Sequence, residues 1–374
     1  MNTSPSQDIN SRSSTDRPVV LVTGSGGLIG SRTIPKLREE FTVVGMDLHP
    51  PGPQDTQTDH WIQVDLTDEQ SVVDAVAELR QEFGDHLASV LHLAAYYDFS
   101  GEQSPLYEEL TVQGTRRLIE HLQPLQVDQF IFSSSLLVME SIEVGKRLTS
   151  KSPTNAEWAY PQSKLETETL LREMHDDIPV LILRIAGVYD EQCHSLPVSH
   201  QIQRIYEKQL ESYFFPGNEE CGQSFVHLED LADCILAAIH RRRELPSFET
   251  LLIGEEDVLS YEQLQDEIGQ NLHGRDWPTI RIPACVAKAG AWAKDKMASS
   301  EEDRPFIKPW MVDLADQNYP VDLSEARAAL GWSPKHTLRQ TLRTILDNLK
   351  NNPQHFYETN KLGALEEDKS GASS

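Results

Sequence analysis

Cysteine is sparse in this chain: Cys193, Cys221, Cys234 and Cys285 stand far apart and none falls in CxxC spacing. That scarcity excludes a disulfide framework and a cysteine zinc site, so the thiols read as reduced and no metal is expected. Positive charge is short as well, with 33 Lys and Arg against 59 Asp and Glu and a formal net charge of −26. A surface that acidic repels phosphate backbones and anionic lipid, which argues against nucleic-acid and membrane-surface roles. Long apolar runs are missing too. None reaches the roughly 18 residues of a bilayer span, and no apolar stretch marks a secretory signal near the N-terminus. The expectation is a soluble, cytoplasmic protein.

What the chain does have is length and alternation. Its 374 residues suffice for a large α/β domain with a smaller appended lobe. Residues 1–17 and the end of a C-terminal tail, 351–374, are polar and serine-rich, a composition expected to be disordered. Between them, β-branched runs at 18–23, 41–46, 61–64, 88–93, 129–132 and 180–184 alternate with helical patterns at 28–38, 72–83, 105–122 and 158–174. Strand and helix alternating at these lengths predict an α/β fold with a doubly wound parallel sheet, whose ligands bind outside the carboxyl ends of the strands. Asp47, Asp65, His92 and the serines 133 to 135 stand at those ends. Past Tyr189 the alternation weakens. We therefore expect a cofactor domain over 18–189 and a C-terminal substrate-binding lobe mainly over 190–350, with some elements returning to the sheet.

The stretch VTGSGGLIG, residues 22–30, joins the first strand to the first helix and spaces Gly24, Gly27 and Gly30 three apart. Glycines there allow a tight turn and let a phosphate approach the backbone N–H groups of a helix N-terminus. By itself the triplet also fits a plain turn. Asp47 ends the second strand, about 20 residues further on, where a carboxylate accepts hydrogen bonds from an adenosine ribose and repels a 2′-phosphate. With no arginine following it, this position predicts NAD rather than NADP; the plainer reading is a cap on a strand-to-loop turn. In AYPQSKLETE, residues 159–168, Tyr160 and Lys164 are one helical turn apart and share a face. An ammonium beside a phenol lowers its pKa and makes it a proton acceptor, with Ser135 placed to bond the same substrate oxygen. A Tyr–Lys pair at this spacing also occurs on ordinary solvated helices. Tyr97 and Asp98 leave the sheet where they either touch substrate or, for the ring, pack over the cofactor edge. His92 and His227 read as structural.

TGSGGLIG (23–30), Asp47, VDL (64–66), HLAA (92–95), FSSS (132–135), YPQSK (160–164), LRIAGVY (183–189), FVHLEDLADC (225–234) and VDLSEARAALGWSP (321–334) occur in order. Together they resemble the extended short-chain dehydrogenase/reductases, the NAD-dependent epimerase/dehydratase group, over about residues 18–350. The resemblance implies a Rossmann-like fold, a homodimer, and a pyrophosphate cradled by Gly24, Gly27 and Gly30 with Leu28 and Ile29. It further implies Asp47 on the ribose, Asp65 and Leu66 along the adenine, and Leu93, Ala94 and Ala95 against the cofactor. Ser135, Tyr160 and Lys164 become the catalytic set, with Tyr160 and Lys164 also contacting cofactor.

Two departures bear on the substrate. Thr111 stands where the group usually has asparagine. The arginines that grip the diphosphate of a nucleotide sugar align with Gln223 and Met311, which form no charge-assisted bond to phosphate. Other basic residues, such as Arg204 or Lys308, could substitute for them, but each reads first as a solvated surface charge. The leading expectation is an NAD-dependent oxidoreductase acting on a secondary alcohol or ketone of a small molecule. The alternatives are a nucleotide-sugar epimerase or dehydratase, and a non-catalytic NAD-sensing protein, against which the intact Ser135, Tyr160 and Lys164 argue.

Overall fold

The computed structural model describes residues 17–50, 52, 58–98, 101–175, 177–297 and 307–363; the expected disordered ends, 1–16 and 364–374, lie outside them. β1 (Val19–Thr23) passes through the glycine turn into α1 (Leu28–Arg38), followed by β2 (Thr42–Asp47), β3 (His60–Gln63) and α2 (Glu69–Phe83). β4 (His86–Leu87) and β5 (Ser89–His92) precede a π-helical turn, Tyr107–Val112, that runs into α3 (Gln113–Leu122). β6 (Gln126–Val127), β7 (Phe130–Ser135), α4 (Ala159–Met174) and β8 (Val180–Ile185) complete the alternating part. Beyond it come β9 (Gly187–Tyr189), α5 (Leu196–Tyr206), β10 (Phe214–Phe215), β11 (Phe225–His227), α6 (Leu228–His240) and β12 (Phe248–Ile253). The chain ends in α7 (Tyr261–His273), β13 (Ile280–Arg281), α8 (Ala284–Met297), α9 (Ser324–Leu330), α10 (Leu338–Asn351) and α11 (Pro353–Thr359).

Seven strands form one parallel sheet in the order β12-β8-β7-β5-β1-β2-β3. Its central strands are apolar at nearly every position because both faces are covered. Successive residues point to opposite faces: Val20 and Val22 pack toward α1 and α6, with Ile34, Leu37 and Ile235, whereas Leu21 packs toward α2 and α3, with Leu79 and Leu118. The order reverses between β1 and β5, so the crevice above that point lies at the carboxyl ends of the strands, where the glycine turn sits. A third core joins α5, α7, α10 and α11 through Ile202, Ile205, Leu264, Ile268, Ile345, Leu346 and Phe356. Among the described residues no helix is long and apolar enough to cross a membrane.

Two local differences from the sequence pattern matter for the site. The strand expected to stop at 132 continues through Ser133–Ser135, because their backbones keep pairing with Leu183–Ile185 of β8. The helix expected from 105 begins instead as the π-helical turn, where Thr111 lies buried. β12 joins the sheet beside β8, through parallel pairing of Phe248–Ile253 with Val180–Ile185. Within the expected C-terminal tail, α11 is ordered because Phe356 and Tyr357 are buried against the third core.

Candidate functional site

The glycine turn cannot take larger residues at two points. Gly24 has φ +66°, and a Cβ there would lie 2.8 Å from the Ala94 nitrogen; at Gly30 it would lie 2.6 Å from the Ser25 carbonyl oxygen. Gly27 caps α1 with no side-chain hydrogen bond, and no acidic residue occupies the first turn. The N–H groups of that turn, which have no intrahelical acceptors, therefore remain open to an anion. A dinucleotide pyrophosphate fits this cradle. Asp47 is fixed beside it, its Oδ2 accepting from the Gly26 N–H at 2.9 Å and its Oδ1 from the Leu48 N–H at 2.8 Å. Asp65 is turned into its own loop, where Oδ1 accepts from the Thr67 N–H and hydroxyl at 2.9 and 2.7 Å, and Leu66 is buried.

From the glycine turn a cavity of about 630 Å³ extends into the C-terminal lobe. Gly24, Gly27, Leu28, Ile29, Gly30, Leu93 and Ala95 form one end of its wall; Tyr97, Ser135, Tyr160, Lys164 and Gln223 also face it. Asp47, Asp65, Leu66, Ala94 and Asp98 are not part of the wall. The Asp98 carbonyl accepts from the Tyr107 hydroxyl at 2.9 Å. The Tyr97 ring stands edge-on to Tyr160, with centroids 5.0 Å apart at 82°.

Tyr160 and Lys164 lie on the first turns of α4, and Ser135 ends β7. Ser135 hydrogen-bonds the Tyr160 phenol, yet burial dominates and pushes its pKa up to about 12. The expectation that Lys164 would lower it is corrected here. The Lys164 ammonium donates to the Ser133 carbonyl at 2.7 Å and sits 5.9 Å from the Tyr160 ring centroid, so it serves the β7 backbone rather than the phenol. Burial pushes Lys164 itself down to about 7, against the opposing charge of Glu168. At neutral pH the phenol is thus protonated in the protein alone.

Beneath this pair lies a buried ionic network that the sequence did not reveal. Arg184 of β8 donates to Glu168 through Nε at 3.0 Å and Nη2 at 2.6 Å, and the Ser134 hydroxyl donates to the same carboxylate at 2.5 Å. Only the i+4 step from Lys164 to Glu168 was visible as a signal. Thr111, in the asparagine's place, accepts from the Tyr96 N–H at 3.0 Å and so pins the segment leaving β5.

His92 is buried between Thr23 Oγ1 at 2.6 Å and Thr115 Oγ1 at 2.8 Å. Burial pushes its pKa from 6.5 down to about 3, so the folded protein keeps it neutral while an unfolded chain protonates it. The resulting stability is complete above about pH 6.5 and is lost as pH falls toward about 3. His92→Gln should flatten the acid dependence of urea unfolding between pH 7.5 and 5 by up to about 1.4 kcal/mol per pH unit. An unchanged slope would show that the imidazole does not carry the effect. His227 caps α6, accepting from the Glu229 N–H at 3.2 Å.

Gln223 and Met311, which stand where the family resemblance implies diphosphate-gripping arginines, both face the cavity. Lys308 pairs with Asp295 at 2.8 Å. Arg204 is not the solvated surface charge expected of it; its side chain lies in the cavity wall and hydrogen-bonds Tyr261.

A doubly wound parallel sheet with an uncapped glycine turn at its crevice defines a dinucleotide-binding α/β fold. Residues 20–254 match the NAD dependent epimerase/dehydratase family, and the chain belongs to that family. It is 24% identical to a UDP-glucose 4-epimerase of Vibrio cholerae, over 86% of this chain and 92% of that protein. It is 23% identical to the decarboxylating sterol-4-alpha-carboxylate 3-dehydrogenase of Candida albicans, over 76% of this chain and 81% of that one. Its fold matches UDP-glucose 4-epimerase of Thermus thermophilus, solved in complex with NAD, with a TM-score of 0.65 at 20% identity, covering 89% of this chain and 99% of that one. The relatives thus include both sugar epimerases and dehydrogenases.

Proposed function

We propose that this family member is an NAD-dependent oxidoreductase acting at a secondary alcohol, or the matching ketone, of a small molecule, with Tyr160 as general acid/base. The observation that carries the reading is that Ser135, Tyr160 and Lys164 share one cavity with the glycine turn. NAD, when bound, supplies the hydride-accepting or hydride-donating ring. The chain's own residues do the rest. Ser135 orients the substrate oxygen, and Tyr160 gives that oxygen a proton as the phenol in reduction and takes one as the phenolate in oxidation. Lys164, tied to the Ser133 carbonyl, is proposed to hold the cofactor ribose in register with the phenol. The lobe over 190–350 would close the far side of the substrate space.

A nucleotide-sugar epimerase is the second reading, supported by the sugar-epimerase relatives and opposed by uncharged Gln223 and Met311 on the cavity wall. Mass spectrometry of small molecules released on denaturation separates them. Retained NAD supports the epimerase cycle, whereas a site that binds added NADH reversibly supports the dehydrogenase.

Cofactor choice gives a second test. With the Asp47 carboxylate held against Gly26, NADH should bind more tightly than NADPH in a fluorescence titration. Asp47→Asn should shrink that preference by about 10- to 100-fold, the worth of a hydrogen bond to a charged group. Tighter NADPH binding by the unaltered protein would overturn the assignment.

A further inference from the structure

Beyond the reacting end, the cavity is mostly apolar. Leu136, Trp158, Phe215, Leu259, Met311 and Leu314 contribute to its wall. Against that background, Arg204 of α5 stands out. It lies in the same wall, and its guanidinium hydrogen-bonds the Tyr261 phenol. Among the described residues it forms no ion pair. Among the described residues of the wall Glu211 is the only carboxylate, and its Oε1 is held by Lys294 at 2.5 Å. Arg204, Lys294 and Glu211 together leave one positive charge in excess.

A guanidinium does not shed its proton, so this charge cannot be relieved by neutralisation. Burial disfavours its charged state and pushes its pKa down, against the opposing charge of Glu211, and an enclosed cation that shares that carboxylate with a lysine costs free energy that an anionic ligand would recover. Among the described wall residues Lys164 is the other ammonium or guanidinium, and it is committed to the Ser133 carbonyl. The positions where a diphosphate would be gripped carry Gln223 and Met311. An apolar passage with a cation distinct from the proton-transfer pair calls for an amphiphile rather than a nucleotide sugar.

We infer that Arg204 anchors a compact anionic group, a carboxylate or phosphoryl, on an otherwise apolar substrate whose secondary alcohol or ketone lies at Tyr160. This inference rests on the oxidoreductase reading for which end of the substrate reacts, but the anion site can be measured without turnover. Arg204 binds and selects; it does not take part in proton or hydride transfer.

The probes are 4-(4-acetylphenyl)butanoate, its methyl ester, and 3-(4-acetylphenyl)propyl phosphate, each titrated calorimetrically into the NADH-loaded protein. The acid or the phosphate should bind about 10- to 100-fold more tightly than the neutral ester, and whichever is tighter identifies the anion. Arg204→Gln should collapse the acid-to-ester affinity ratio toward unity, while Arg204→Lys should retain part of it. Using the ratio within each variant removes any loss of folded protein. Equal binding of acids and ester, no saturable binding of either acid, or a ratio that survives Arg204→Gln would each overturn the inference. NADH consumption is followed in parallel. Anion-selective binding without turnover of any probe or of a wider ketone panel would count against the oxidoreductase reading and leave the anion site standing.

Discussion

Tyr160→Phe should lower kcat by about 10²- to 10⁴-fold, the usual contribution of positioned proton transfer, while NADH affinity stays nearly unchanged. The substitution removes one oxygen and leaves the ring packed edge-on to Tyr97 and tilted against Trp158. Its phenol, held near pKa 12 by burial, is protonated at neutral pH, as the proposed donor must be. Loss of the donor should therefore be most severe in ketone reduction. Lys164→Met removes the ammonium that ties α4 to the Ser133 carbonyl. It should weaken both turnover and cofactor binding, a pattern distinct from that of Tyr160→Phe. Steady-state kinetics on a confirmed substrate, beside an NADH fluorescence titration, decides between them. A Tyr160→Phe enzyme retaining most of its rate would make the tyrosine a packing residue.

The second large effect lies beneath the site. Arg184→Met should destabilise the protein by about 3–5 kcal/mol, because Glu168 is then left buried without its partner. Glu168 and Arg184 are both less than one-tenth exposed, and two hydrogen bonds join them. The double variant Glu168→Gln, Arg184→Met should recover part of the loss, since it removes the stranded charge as well. Urea unfolding of the four proteins measures this coupling. Additive losses would show that the pair is not a unit. Glu168→Gln carries a further consequence for the site: Glu168 is the charge that opposes the burial of Lys164, so its loss should move the lysine pKa further below about 7.

Much of this molecule was legible from local pattern. The buried β-branched runs, the glycine spacing of 24, 27 and 30, and the helical step from Tyr160 to Lys164 depend on neighbours a few residues apart, and each is encoded where it acts. Parallel order followed from alternation, because a helical crossover carries the chain back to begin the next strand at the same end of the sheet. Asp47 at the end of the second strand was equally readable, since strand length alone sets its height above the sheet.

Tertiary structure decided what depends on burial and distant pairing. β12 joins β8 across 68 positions of sequence, Phe248 opposite Val180. The serines of β7 remain strand because β8 pairs with them, although their side chains alone suggest a turn. Lys164 lies one turn from Tyr160, yet its ammonium goes to a carbonyl of β7, and burial moves the two pKa values in directions that the pair alone does not predict. Arg204 shows the same limit most sharply. In sequence it is one arginine on an amphipathic helix. The fold turns it into the cavity, gives it Tyr261 and leaves it no ion-pair contact among the described residues, with Glu211 shared with Lys294, because the cost or use of a charge is set by what surrounds it in space.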